Sequence, residues 1–249
     1  MAMTEETDLE GSVAMAKESD GKVSPTKVWF ASASVDVNAA KPILPIGRHE
    51  EDERSMTRDE LAAVVKVSRE AMRKIQSGEA LSDEEISRTY SLCRGSTASN
   101  QPEPFMLLFG SWVVTAETRA LLEDLDPGPL RFHEIEVLNA ARTAPLWEGA
   151  ALSVMQVLTC RRDVVIEESE RLRKRVGRLK DGEARFSVTA PDRDDVLVVL
   201  PPHEDASEVW LDDRLDGALF LSDRVAKALS AAKLTRGWNL RRCVKKTVH

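Results

Sequence analysis

Near the end of the chain, the hydrophobic residues change from a continuous run to a helical repeat and then to alternation. Residues 218–221 form a short apolar run, and the polar pair Ser222 and Asp223 follows it. The next apolar residues recur at the three- and four-residue spacing of one helix face: Val225, Ala228, Leu229 and Ala232. Alternation resumes after Gly237, so residues 217–246 predict a strand, a capped helix, a turn and a second strand.

Three residues are suited to the ends of this predicted helix and to the turn after it. The Ser222 side chain can accept a hydrogen bond from a first-turn amide, and Asp223 places negative charge at the positive end of the helix dipole. Gly237 adopts a positive φ at little cost, as many helix exits and turns require. These residues predict where the helix begins and where the chain turns.

The same arrangement occurs earlier, between residues 109 and 137. Residues 112–114 form the apolar run, and Thr115 stands at the capping position. Asp-Pro-Gly at 126–128 ends the predicted helix, and a strand pattern resumes from Phe132. A strand–helix–strand unit used twice indicates two similar halves, or one domain that repeats the unit. The alternative is chance similarity between two such pieces.

The first hundred residues predict a strand and a pair of helices. Residues 27–35 alternate as a strand does. A capping box at residues 57–60 precedes a helical apolar repeat, and a second capping box stands at residues 82–85. We therefore predict an N-terminal helical hairpin, with helices at residues 58–77 and 83–93.

Further strand-like segments fix the expected fold class. They are residues 150–160, 184–189, 196–200 and 208–211. Because several predicted strands adjoin rather than alternate with helices, we expect an α+β fold with mixed or antiparallel sheets and packed helices. We expect a disordered polar tail at residues 1–25, an N-terminal strand and helical hairpin at 26–104, and an α+β domain at 105–249.

Composition narrows the class of protein. The chain has 249 residues, 42% of them hydrophobic, so it can bury a core in one or two domains. Its net charge of −7 argues mildly against nucleic acid as the main partner and suits a basic one. The three cysteines are far apart and fit reduced thiols. We see no secretory signal or membrane-length apolar segment, and expect a cytoplasmic protein without membrane contact.

Enzyme chemistry has one weak candidate. The chain holds no glycine-rich phosphate loop, HExxH motif or G-x-S-x-G elbow, and its cysteines and histidines lack metal-ligand spacing. Cys160 and His133 can in principle pair as nucleophile and base. Cys160 lies in an apolar run, however, which favours a buried inert thiol, and His133 fits a surface strand. We expect no catalytic residues, no cofactor and no metal.

Carboxylates concentrate late in the chain and have three interpretations. They are a metal or acid–base site, solvated turn residues, or a surface that attracts a basic partner. The turn interpretation is favoured because no fixed ligand spacing is present. For a partner contact we select the whole set: Asp192, Asp194, Asp195, Glu204, Asp205, Glu208, Asp212, Asp213 and Asp216.

Two basic stretches point to other partners. Residues 171–180 carry six positive charges and no negative ones, and we interpret them as a solvated helix face. Five cations near the end alternate along a strand and tail with Trp238 and Leu240 between them: Arg236, Arg241, Arg242, Lys245 and Lys246. Either stretch can contact phosphates, and an aromatic residue among arginines is also typical of protein–protein hot spots.

Several of these motifs carry a resemblance to a known family. Residues 112–115, 121–128 and 132–137 resemble a pattern in a bacterial immunity-protein family of polymorphic toxin systems, named after a myxobacterial immunity protein. Residues 219–225 and 228–235, together with Trp238, are similar to that family's C-terminal signature. The resemblance spans about residues 105–244 and implies an antitoxin without catalytic residues.

The sequence departs from that family's pattern at a few positions. Lys233 stands where Gly is common, Arg236 precedes the glycine, and residues 133–135 replace a Phe-Pro-like run. We therefore keep three hypotheses. The first is an immunity protein that neutralises a cognate secreted toxin by occluding it. The others are an enzyme using Cys160 and His133 or the carboxylates, and a regulatory nucleic-acid-binding protein.

Overall fold

The computed structural model describes residues 27–36, 40–179, 181–189, 193–201, 203 and 206–246, and the predicted tail at 1–25 lies outside them. Within the described residues the chain is α+β, as predicted, and strands dominate. The helices are α1 (Glu50–Ser55), α2 (Arg58–Ser77), α3 (Ala116–Leu125) and α4 (Asp223–Ala231). The strands are β1 (Val28–Ala31), β2 (Ile43–Pro45), β3 (Thr89–Leu92), β4 (Phe105–Leu108), β5 (Ser111–Thr115), β6 (Leu130–Leu138), β7 (Leu152–Val157), β8 (Leu172–Arg178), β9 (Ala184–Val188), β10 (Val198–Val199), β11 (Val209–Leu211), β12 (Leu219–Ser222), β13 (Leu240–Arg242) and β14 (Val244–Lys245).

Two larger sheets and two small ones organise these strands. One large sheet has the order β11-β12-β1-β13 and is antiparallel throughout. The other has the order β2-β3-β6-β7-β5-β4, with β3 and β6 parallel and the other neighbours antiparallel. Its two ends approach each other, because the Lys41 amide donates to the Leu107 carbonyl at 3.0 Å. This mixed sheet is therefore nearly closed.

Both large sheets bury side chains on their two faces. In β12, Leu219 and Leu221 pack into a central core, while Phe220 packs into a second core on the opposite face. In β5, Trp112 packs into the same central core, and Val113 packs into a third core on the other side of its sheet. Because neighbouring residues of a strand face opposite sides, continuous apolar runs are what a strand buried on both faces requires.

The repeated strand–helix–strand unit is present in both predicted places, as β5-α3-β6 and β12-α4-β13. The helices of the two units contact each other across the central core. The Arg224 guanidinium of α4 donates to the Leu125 carbonyl at the end of α3, at 2.8 Å. The two units thus meet through their helices.

The structure confirms the predicted start of α4 but not the residue at which the helix ends. The Ser222 hydroxyl accepts the Val225 amide at 3.2 Å, as a cap should. Gly237 has the expected positive φ of 87°, but it lies in the turn beyond the helix. The helix exits instead through Lys233, with φ 60°, and the Leu234 amide bonds back to the Leu229 carbonyl at 2.8 Å. The lysine at this usual glycine position therefore adopts the left-handed conformation that glycine favours.

The N-terminal helical hairpin is wrong in its second half. Helix α2 forms with the predicted capping box, but residues 83–85 make one 3-10 turn and residues 89–92 are strand β3. The misleading spacing is that of Ile86 and Tyr90. Residues four apart share a helix face, but they also share a strand face, because four is an even number. Tyr90 and Leu92 are both buried on that strand.

The sheets run across the boundary predicted between residues 104 and 105. Strand β1 lies between β12 and β13, and β3 pairs with β6. No helix in the described part of the chain is long and apolar enough to span a membrane.

Candidate partner-binding surface

The acidic residues predicted as partner contacts are bonded to arginines of the same chain wherever the structure describes them. Asp192, Glu204 and Asp205 lie outside the described residues. The other six accept hydrogen bonds from five arginines. Asp194 accepts the main-chain amide of Arg242, and the other five accept guanidinium groups: Asp195 from Arg242, Glu208 from Arg224, Asp212 from Arg214, Asp213 from Arg162, and Asp216 from Arg185. They are therefore not a set of free negative charges.

Asp212 has a structural role. It is fully buried, and its carboxylate accepts the Val164 amide at 3.2 Å and the Arg214 Nε at 2.9 Å. The hydrogen bond to Asp212 raises the pKa of Arg214 above its ordinary value. Removing one partner would leave a buried charge uncompensated, which is strongly destabilising. A partner protein therefore cannot use this carboxylate without unfolding its surroundings.

Arg162 collects three carboxylates around one guanidinium. Its nitrogens lie 2.7 Å from Asp213, 2.5 Å from Asp181 and 3.4 Å from Glu183. Hydrogen bonds to Asp213 and then to Asp181 raise the pKa of Arg162 above its ordinary value. The carboxylates nearest the tip of the β8–β9 hairpin are thus engaged by a residue outside the hairpin.

Partner contact through the acidic set stays a prediction, and it requires the partner to replace the arginines that these carboxylates already bind. Exposed ion pairs contribute about 0–1 kcal/mol each, so a basic partner can exchange with the arginines at little expense. This applies to Asp195 and Arg242, whose side chains are both more than a third exposed. It does not apply to the buried Asp212.

Most of the basic stretch predicted as a helix face is a strand, which corrects that prediction. Residues 172–178 form β8, which pairs antiparallel with β9. The signal that indicates a hairpin is Asp181-Gly182, a dipeptide common in tight hairpin turns. Gly182 has φ 87°, and its amide donates to the Leu179 carbonyl at 3.0 Å.

Strand β8 projects its cations into solvent. Residues 173–178 are all exposed, and Val176 among them is fully exposed. Of the four cations on β8, only Arg175 pairs with a carboxylate among the described residues, Asp216 at 3.1 Å. Arg178 donates to the Gly182 carbonyl at 2.9 Å, and no described carboxylate pairs with Arg173 or Lys174. The hairpin is therefore a local excess of positive charge on a chain whose net charge is −7.

A groove of about 620 Å³ separates this hairpin from α2. Arg173 and Arg175 line its hairpin side, and Met72 and Gln76 line its helix side. Arg185 Nη2 donates to Gln76 Oε1 at 2.8 Å, so one hydrogen bond ties the hairpin to the helix. The hairpin is thus tied to α2 through β9, close to its turn, while β8 faces outward.

The basic residues near the C-terminus are mostly paired. Arg242 bonds to Asp195, Lys246 Nζ lies 2.5 Å from Glu168, and Arg236 lies 3.6 Å from Glu103. Trp238, predicted to stand between cations, is buried and stacks on Phe105 with ring centroids 4.3 Å apart. This stretch offers fewer free cations than β8.

Cys160 and His133 are not brought together. His133 pairs with Val154 across β6 and β7, and its charged neighbours are Arg88, Asp83 and Arg131. Cys160 instead pairs with Leu211, and its charged neighbours are Asp213, Asp212 and Arg162. Cys160 is exposed rather than buried, yet surrounding protein atoms and then Asp213 raise the pKa of its thiol to about 11. Burial and then Arg88 lower the pKa of His133. The thiol is therefore protonated at neutral pH and has no adjacent base in His133.

No protein-family model and no curated protein matches the chain. Among the described residues, no group of three His, Cys, Asp or Glu side chains is arranged to hold a metal ion.

Proposed function

We propose that this chain is an immunity protein that binds a cognate secreted bacterial toxin and neutralises it by occluding it. The proposal starts from the resemblance of residues 112–137 and 219–238 to an immunity-protein family. The observation that carries it is the folding of these two segments as matching strand–helix–strand units that meet through α3 and α4. The motifs thus form the structural framework, and we assign toxin binding to the exposed surface of that framework.

The mechanism is stoichiometric binding in the cytoplasm, where a toxin that enters the cell would act. A protein with a well-packed core loses little conformational entropy when it docks, so more of the contact energy remains as affinity. Two surfaces are available for contact: the exposed members of the acidic set, which suit a basic toxin, and β8, which suits an acidic one.

Co-expression with the toxin encoded by the neighbouring gene tests this proposal. We expect the chain to restore growth of cells that express the toxin and to co-purify with it in a 1:1 complex. The matched control is the same chain with a disrupted core, Phe220→Asp, which we expect to be unfolded and unprotective. If folded wild-type protein neither protects the cells nor forms a complex with the toxin, the immunity function is excluded.

A further inference from the structure

We propose, on the basis of the immunity function above, that the free edge of β8 takes up an extended acidic segment of the toxin as an added strand. Strand addition at a sheet edge supplies affinity through main-chain hydrogen bonds and selects partners through side chains on alternate positions. Three features of the hairpin support it: a β8 edge without a strand partner among the described residues, cations on β8 without a described carboxylate partner, and a groove over one face of the hairpin.

The edge of β8 is identified by its pairing with β9. Lys174 lies opposite Phe186, and the Thr189 amide donates to the Arg171 carbonyl at 2.8 Å. Phe186 directs its own amide and carbonyl away from β8, to Arg214 at 2.7 Å and Asp216 at 2.8 Å. In an antiparallel ladder the residue opposite must then point its own N–H and C=O the other way. The main chain of Lys174 therefore faces the open edge of the two-stranded sheet β8–β9.

The charges along this edge select the chemistry of the added strand. Lysine and arginine on an edge strand disfavour pairing with a basic strand, because like charges repel, and with a neutral strand, because the cations would lose hydration without gaining a partner. Arg173 and Lys174 have no carboxylate partner among the described residues, while Asp181 and Glu183 of the same hairpin bond to Arg162. Glutamate or aspartate opposite these cations would form the favourable cross-strand pairs that the chain itself does not supply.

The two faces of β8 also differ. Arg173 lies on the face that lines the groove against α2, whereas Leu172 is half-buried against the core on the other face. Lys174 continues that second face, and Val176, in the segment where the register to β9 shifts, is fully exposed. An added strand therefore meets cations on one face, and a lysine and an apolar side chain on the other. An alternating sequence of acidic and apolar residues can add in either of two registers, with its carboxylates opposite Arg173 or opposite Lys174.

A nucleic acid is the other polyanion to consider, and β8 suits it less. Single-stranded nucleic acids bind where aromatic side chains stack on the bases alongside a basic groove. The sequence of β8, Leu-Arg-Lys-Arg-Val-Gly-Arg, carries no aromatic residue. Phosphates also leave the unpaired carbonyls of a strand edge without donors, whereas a peptide satisfies both donors and acceptors.

The test uses a synthetic probe and the full chain. A fluorescein-labelled seven-residue peptide of alternating Glu and Val is titrated with the protein, and anisotropy reports binding. We expect binding that weakens as salt rises, and no binding of the matched Lys–Val peptide. Stronger binding of a single-stranded oligonucleotide, or equal binding of the Lys–Val peptide, would overturn the proposal.

Two substitutions at one position separate the main-chain edge from its charge. Lys174→Gln removes the charge and keeps the edge amide, so we expect affinity to fall about threefold. Lys174→Pro removes the edge amide as well, at a position where proline does not break the ladder to β9, and we expect a fall of tenfold or more. The control for folding is the thermal unfolding temperature, which should be the same in both variants as in the wild type. Equal affinity of Lys174→Pro and Lys174→Gln would contradict strand addition.

Protection of cells against the toxin distinguishes a failure of strand addition from a failure of the proposed immunity function. If the wild type protects cells and Lys174→Pro does not, both stand. If the two protect equally, the immunity function stands and the edge of β8 is excluded as the contact. If the wild type fails to protect, the immunity function is excluded. The acidic segment that binds β8 then does not come from a toxin.

Discussion

At the scale of single residues, the sequence predicts conformation more readily than contact. Ser222 caps α4 as expected, because a cap depends on residues three positions away. Thr115, in the corresponding place, makes no amide cap and contacts the Thr118 hydroxyl at 3.4 Å instead. Gly237 shows what sequence cannot supply: its positive φ was predictable, but its neighbour, the Phe105 carbonyl, comes from far along the chain.

Gly237→Ala should be strongly destabilising. A methyl group at Gly237 would lie 2.0 Å from the Phe105 carbonyl oxygen, in addition to the strain of φ 87°. We expect a loss of about 3 kcal/mol in the free energy of unfolding, measured by urea denaturation. The matched control is Gly149→Ala, where φ is 71° and no atom lies within 4 Å, so the conformational cost of about 1 kcal/mol acts alone. Equal losses in the two variants would show that the Phe105 contact has no effect.

At the scale of elements, the hydrophobic period decides which segments are predicted correctly. The long repeat of α2 and the continuous runs of β5 and β12 leave little choice, and each was predicted. Residues 83–93 and 171–180 were not, because a spacing of four fits both periods and a run of cations has no period. What fixes β3 is its pairing with β2 and β6, which are distant in sequence.

Glu208 joins β11 to the start of α4 and should make stability depend on pH. Its carboxylate accepts hydrogen bonds from Arg224, and from the Ser222 hydroxyl at 3.0 Å, and these bonds lower its pKa from 4.5, the arginine contributing most. A carboxyl whose pKa is lowered in the folded state stabilises the fold above its unfolded pKa and loses that effect as pH falls through the folded value.

Glu208→Gln measures this contribution. At pH 7 we expect the variant to be less stable than the wild type by about 1 kcal/mol or less, because Arg224 is half-exposed and screened by solvent. Below pH 4.5 the wild-type advantage should shrink and disappear. The check is urea unfolding of both proteins between pH 3 and pH 7. A difference that is independent of pH would contradict the ion pair.

At the scale of the whole molecule, the sheets join segments that the sequence separates. Composition and period predicted the α+β class, but the boundary at residue 104 rested on a polar stretch. Strand β1 is the middle partner of β12 and β13, and its Phe30 packs on Phe220 with ring centroids 5.5 Å apart. Of the candidate site, the acidic and basic stretches are visible in the sequence, but most of their partners are not, because pairs such as Asp213 with Arg162 and Asp195 with Arg242 join residues far apart along the chain.

A fragment of residues 105–249 should not fold by itself. It lacks β1, and thus leaves β12 and β13 without the strand between them, and it lacks β2 and β3 of the other sheet. We expect the full chain to unfold in one cooperative transition and the fragment to show none, as followed by circular dichroism. Adding a separate fragment of residues 1–104 is the control, because it supplies the missing strands. Cooperative unfolding of 105–249 alone would show that the missing strands are dispensable.

The central claim is that the chain acts by binding one toxin molecule and covering it. The most direct measurement is titration of the purified toxin with this protein while the toxin's own activity is followed. We predict a linear fall in activity that reaches zero at one equivalent. Full inactivation by a small fraction of an equivalent would indicate a catalyst, and undiminished activity at several equivalents of folded protein would contradict the claim.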